Sequence, residues 1–156
     1  MELLFNSSIF LFSGLSANDY VGFTFFIGYM AMFAASVFFF FERQTVEGKW
    51  KTSLLIAGLI TMIASVHYYY MRDVWMNTGA SPTQFRYIDW ILTVPLMCVE
   101  FYLILKAFGA KIDLLWKMIG YSLIMLVAGY LGETAFRNQS VIWGIISTLG
   151  YAGILY

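Results

Sequence analysis

RYIDWILTVPLMCVEFYLIL, residues 86–105, decides how this chain reads. The stretch is apolar and long enough to cross a bilayer, which takes about 20 helical residues. Yet it carries Asp89 and Glu100. A carboxylate inside a membrane span costs about 2.5–3.5 kcal/mol on insertion scales, so such a residue marks function by default. At about 100° per residue, Glu100 falls about 20° around the helix from Asp89, and Thr93 about 40°. The three share one stripe. A rise of about 1.5 Å per residue sets the two carboxyls about 16 Å apart along the axis. That exceeds the roughly 5–10 Å of a paired-carboxylate glycosidase. The spacing suits two stations on a path across a membrane.

Composition agrees. Of 156 residues, 61% are hydrophobic and 12% charged, against about a quarter charged in soluble domains; mean hydropathy is +0.76. The chain reads as an all-α integral membrane protein. Formal net charge is zero, so no nucleic-acid footprint is present. Cys98 is the single cysteine; it supports neither a disulfide framework nor a cysteine metal site, and a packing role is expected of it. No metal site, nucleophile–base pair or phosphate-binding glycine loop is found, and a transporter is expected rather than an enzyme.

Five apolar stretches are expected to span: about 20–41, 52–71, 84–105, 114–131 and 140–156. The first two end at Glu42-Arg43 and Arg72-Asp73; the segment from Asn77 to Pro82 signals a turn. Pro95 interrupts the third span and frees a carbonyl that must be satisfied locally. Residues 1–19 read as an extracellular lead-in or degenerate signal segment without a basic start. Basic residues set the orientation. Arg43, Lys49, Lys51, Lys106, Lys111 and Lys117 flank one side, and Arg72 and Arg137 the other. The N-terminus is therefore expected outside. A chain that stops flush with an apolar helix reads as the front part of a longer protein.

Orientation turns spacing into depth. Asp89 and His67 each lie five residues from the outer ends of their expected spans, on adjacent antiparallel helices, so a contact between them is expected. Arg86, one turn from Asp89, offers a second cation. Glu100 has apolar sequence neighbours and is read as a proton donor, Asp89 as an acceptor. Plainer readings stand beside these. His67 as a core histidine, Arg86 as an interfacial anchor, Asp89 as its structural partner, Glu100 as a polar inter-helix contact and Thr93 as a donor to its own helix all remain open. Trp90, Trp143, Tyr68 and Tyr87 offer walls for a flat polyene ligand.

At these residues the chain resembles the microbial rhodopsins, most closely the bacterial proteorhodopsins. FFFFERQTVEGKWKTSL, HYYYMRDVW and SPTQFRYIDWILTVPLMCVEFYLIL are similar to that group's first three helices, and LIMLVAGYLGE to its fourth. The resemblance covers about 18–156. It implies residues 20–156 as helices one to five of a seven-helix bundle holding all-trans retinal as a protonated Schiff base on a lysine of helix seven. It implies a light-driven outward proton pump in a bacterial inner membrane, multi-pass, assembled as a ring-shaped homo-oligomer. Asp89 would be counterion and acceptor, Glu100 the cytoplasmic donor and Thr93 the middle of the Asp-Thr-Glu triplet. His67 would be the acceptor's partner and Arg86 part of the release-side network. Trp90, Thr93, Met97, Met125, Gly129, Trp143 and Ser147 would line the retinal. Met97 holds the colour-tuning position, where an apolar residue implies green absorption.

Two departures accompany the resemblance. Helices six and seven, with the retinal lysine, are not in this sequence, and Lys49, Lys51, Lys106, Lys111 and Lys117 all fall at loops or helix ends. Phe26 stands where the group often has Trp. A sensory rhodopsin and a non-photoactive membrane scaffold fragment remain alternatives.

Overall fold

The computed structural model describes residues 18–155. Most of the expected lead-in, residues 1–17, and Tyr156 lie outside the described residues. The described chain is helical, without strands. Helix α1 spans Tyr20–Glu42, α2 Trp50–Thr78, α3 Thr83–Lys106, α4 Ile112–Glu133 and α5 Ser140–Leu155, with a 3-10 turn at Arg137–Gln139 leading into α5. Four of these, α1 to α4, are long and apolar enough to cross a membrane. The 16 described residues of α5 rise about 24 Å.

Helix α2 corrects one expected boundary. Arg72 and Asp73 close the apolar stretch, but the helix runs on to Thr78. Charge marks where hydrocarbon ends; it does not stop a helix, and no Gly or Pro occurs until Gly79 and Pro82. Gly79 then takes the left-handed conformation at φ 63°, and its N–H caps the Trp75 carbonyl at 2.8 Å. Pro95 lies inside α3, as the sequence implied.

Among the described residues each helix packs only on the helices before and after it in the chain. In lipid, such contacts rest on close approach of small residues and on inter-helix hydrogen bonds rather than on a hydrophobic drive. Both occur here. Ser65 Oγ donates to the Tyr29 carbonyl at 2.9 Å across α1–α2, and Ser147 Oγ to the Met125 carbonyl at 2.8 Å across α4–α5. At Gly150 the helices nearly touch: an added Cβ would lie 2.9 Å from the Met125 amide nitrogen and 3.0 Å from the Tyr121 carbonyl oxygen. Cys98 packs with Tyr102 and Met118 in a buried cluster between α3 and α4, the packing role expected of it.

Asp19 ties the start of α1 to α2. Its carboxylate accepts the Gly22 N–H at 2.9 Å and the Trp75 indole N–H at 3.0 Å. These donors, Gly22 first, hold the Asp19 carboxyl below its ordinary value of 3.8. The anion is the bonded form, so the tie is complete above pH 3.8 and is lost as pH falls through the lower folded value. Trp75 emission should shift in that acid window, and Asp19→Asn should remove the shift; a shift unchanged in that variant contradicts the assignment. At the other seam, Gly150→Ala must push two backbones apart. It should destabilise the protein by about 1–3 kcal/mol, the range for overpacking. That change is read as a lower melting temperature in detergent, and an unaltered melt would contradict the close approach.

Candidate functional site

The first part of the site is built by α2 and α3. Asp89 is 3% exposed and Thr93 4%. His67 Nδ1 lies 3.4 Å from Asp89 Oδ1 and 2.9 Å from the Ile63 carbonyl oxygen. With a proton on Nδ1, the imidazole donates to that carbonyl and keeps the same nitrogen beside the carboxylate. The expected meeting of His67 and Asp89 therefore occurs as a close electrostatic contact, not as a short hydrogen bond. Asp89 Oδ1 is buried and has no hydrogen-bond partner among the described residues. A buried carboxylate oxygen left in that state carries a large desolvation cost and suits a cationic or proton-bearing group. Thr93 Oγ1 donates to the Asp89 carbonyl at 2.9 Å; its hydroxyl serves its own helix. Glu100 lies further along the same stripe, half-buried, and makes no ion pair among the described residues.

Arg86 does not turn to Asp89. It pairs with Glu133 at the end of α4, and Thr83 Oγ1 donates to the same carboxylate at 3.2 Å. Arg86 also covers two rings, with its Cζ 5.4 Å from the Trp90 centroid and 5.9 Å from that of Tyr87. The expectation that Arg86 neighbours Asp89 is thus corrected. One helical turn separates the two along the chain, but the guanidinium follows the α4 carboxylate. Glu133 was missed because it closes an apolar stretch, where a carboxylate reads as an end marker. The repeat of Arg and Glu at the same end of antiparallel neighbours was the available signal.

The second part is a cavity of about 320 Å³ between α3, α4 and α5, within the range of small-molecule sites. Tyr87, Trp90 and Val94 line it from α3, and Met125, Leu126 and Gly129 from α4. Ser147 closes it from α5. Gly129 keeps it open, since a Cβ there would stand 3.0 Å from the Tyr87 hydroxyl. On α3 these residues lie about 100–160° around the axis from Asp89. Helix α3 therefore has two distinct flanks: Asp89 against α2, and a flat, aromatic-walled hollow toward α4 and α5.

Of the residues expected against a ligand, Trp90, Met125, Gly129 and Ser147 meet in this hollow. Trp143 instead stacks on Phe136 at 5.4 Å and packs over Gly132. Met97 is exposed and Thr93 is buried, both outside the hollow's lining. Tyr87, Val94 and Leu126 line it in addition; the sequence offered Tyr87 as a ring and gave no sign of the other two.

Comparisons with known proteins bear on this arrangement. The model of the bacteriorhodopsin-like protein family matches residues 19–156. A green-light absorbing proteorhodopsin from the gamma-proteobacterium EBAC31A08 is 56% identical over 143 residues, covering 91% of this chain and 57% of that protein. The chain thus spans little more than half the length of this relative. The crystal structure of a blue light-absorbing proteorhodopsin from Med12 superposes with a TM-score of 0.81 at 48% identity, covering 88% of this chain and 65% of that one. Xanthorhodopsin, a light-driven ion pump with dual chromophore, superposes with a TM-score of 0.73 at 30% identity, covering 87% and 61%. A helix row with an acid–imidazole contact on one flank of α3 and an aromatic hollow on the other, matched along nearly its whole length, places this membrane-spanning chain in the bacteriorhodopsin-like family.

Proposed function

We propose that this chain forms helices one to five of a light-driven pump that moves protons outward across a bacterial inner membrane. Helices six and seven, with the lysine that holds retinal, complete it. The observation that carries the reading is Asp89: buried within an apolar helix, 3.4 Å from His67, and on one stripe with Glu100.

The hollow suits retinal on its own terms. Its walls are mostly apolar, Trp90 and Tyr87 present flat faces, and Gly129 leaves room where any side chain would intrude. Bound as a Schiff base to the helix-seven lysine, retinal would supply light absorption and an isomerisation, and the lysine nitrogen would carry the proton. The protein's residues do the rest. Asp89 holds negative charge in a place where lipid would reject it and takes up a proton at its carboxylate. His67 Nδ1, beside Oδ1, is placed to give a proton to the carboxylate as imidazolium or to take one back from the protonated carboxyl as neutral imidazole. Thr93 fixes the backbone at Asp89 by bonding the residue's own carbonyl, so the acceptor keeps its position as its charge changes. Arg86, held by Glu133, keeps positive charge at the outer end and favours onward release from Asp89. Glu100, about 16 Å along the axis and screened on part of its surface, holds a proton and returns it from the inner side. A green resting colour rests on the resemblance at Met97 alone, since that residue lies outside the hollow's lining.

Cells holding the full-length protein should acidify their medium on illumination; a photochemically active protein that moves no protons would favour a sensory role. Asp89→Asn should abolish the acidification and move absorption to longer wavelength, and unchanged pumping would remove Asp89 from the acceptor role. Glu100→Gln should slow return to the dark state by about a hundredfold, the scale of a lost general acid, while leaving the first proton release intact. Flash spectroscopy checks this, and unaltered recovery would overturn the donor assignment.

A further inference from the structure

The hollow described above has a counterpart on the other flank of the α3–α4 seam. This second groove holds about 290 Å³. Gln84, Ile88 and Ile91 of α3 face Val127, Tyr130 and Leu131 of α4 across it. Ile88, Ile91 and Val127 are exposed, and apolar side chains exposed on membrane-spanning helices suit acyl chains. Tyr87 and Leu126 line both spaces. They are the partition, 7% and 3% exposed. The Tyr87 ring meets Trp90 edge-on at 5.1 Å on the inner side and Tyr130 at 5.2 Å on the outer side. Its hydroxyl stands over Gly129, which has no side chain, and is tethered by a hydrogen bond to Glu133 that an inward swing must break.

We propose that the outer groove is a lateral port through which a retinal-class polyene aldehyde passes from the bilayer into the hollow, between α3 and α4, by displacing Tyr87 and Leu126. The proposal rests on the hollow being the retinal site. The occupant follows from chemistry and continuity. Such an aldehyde dissolves in lipid and not in water, so its shortest way in is from the side. The outer groove leads, through two side chains, to a cavity of similar volume. Its polar margin, the Gln84 amide and the Tyr130 hydroxyl, offers hydrogen-bond donors to a carbonyl oxygen, which an acyl chain lacks.

The test uses full-length protein expressed without retinal and placed in phosphatidylcholine vesicles. All-trans retinal is added from donor vesicles, and the rise of pigment absorbance is timed. Ile91→Trp and Val127→Trp, which fill the outer groove, should slow the rise roughly tenfold, equivalent to a barrier higher by about 1.4 kcal/mol, with final yield and absorption maximum unchanged. Leu126→Ala, which thins the partition, should quicken it. Ile142→Trp, at an exposed position on α5, should leave the rate as it was. Pigment yields from cells grown with retinal show separately that each variant folds, and Leu126→Ala tests the port even where a filled variant does not. Filled variants that load at the normal rate overturn the port, as does equal slowing by Ile142→Trp. If the unmodified protein forms no pigment, the retinal reading itself fails; if every variant forms pigment at one rate, only the port is lost.

Discussion

An acid in hydrocarbon has to be kept from lipid, and the α2–α3 contact does this for Asp89. The imidazole of His67 sits 3.4 Å from its carboxylate, and the residue is almost wholly buried. The rest of the bundle serves that placement. Helix α2 is long because nothing breaks it before Gly79, and it carries His67 to the level of Asp89. Serine hydroxyls and bare glycines at the seams let the helices approach without large apolar surfaces driving them together. A neutral side chain at position 89 would pack more easily. An acid kept at such a depth argues for a task that needs its charge to change.

The two flanks of α3 carry different chemistry. Asp89, Thr93 and Glu100 form one stripe, while Tyr87, Trp90 and Val94 border the hollow shared with α4 and α5. Trp90 follows Asp89 directly in sequence, so the acid and the wall of the hollow sit on consecutive residues. Arg86 links the flanks at one end, resting on the Trp90 ring while paired with Glu133. That end is tied further by Thr83, which donates to the same carboxylate.

Much of this was legible in residues 86–105 alone. Intramembrane carboxylates are costly enough to stand out, and helical periodicity fixed their common stripe before any contact was known. Counting residues from the span ends brought His67 and Asp89 to one depth, although the α2 end itself was misplaced by reading Arg72-Asp73 as a helix terminus. The errors share a cause. Charge at the end of an apolar run reports where hydrocarbon stops, which says nothing of where a helix stops or what the charge pairs with. Arg86 was expected near Asp89 because the two lie one turn apart; its choice of Glu133 depends on how α4 packs, which no single stretch encodes. The hollow's lining divided similarly. Aromatic and glycine positions stood out in the sequence, whereas Val94 and Leu126 are ordinary apolar residues whose place is set only by the α3–α4 contact.

The claim at the centre is that Asp89 changes its protonation under the influence of His67. Light-minus-dark infrared difference spectroscopy on the full-length protein reads this at the carboxyl group. One carboxylic C=O stretch should grow in on illumination, persist in Glu100→Gln, and change frequency in His67→Gln. If no such band arises, or if it is indifferent to the His67 substitution, the acid–imidazole contact is not the working centre of this protein.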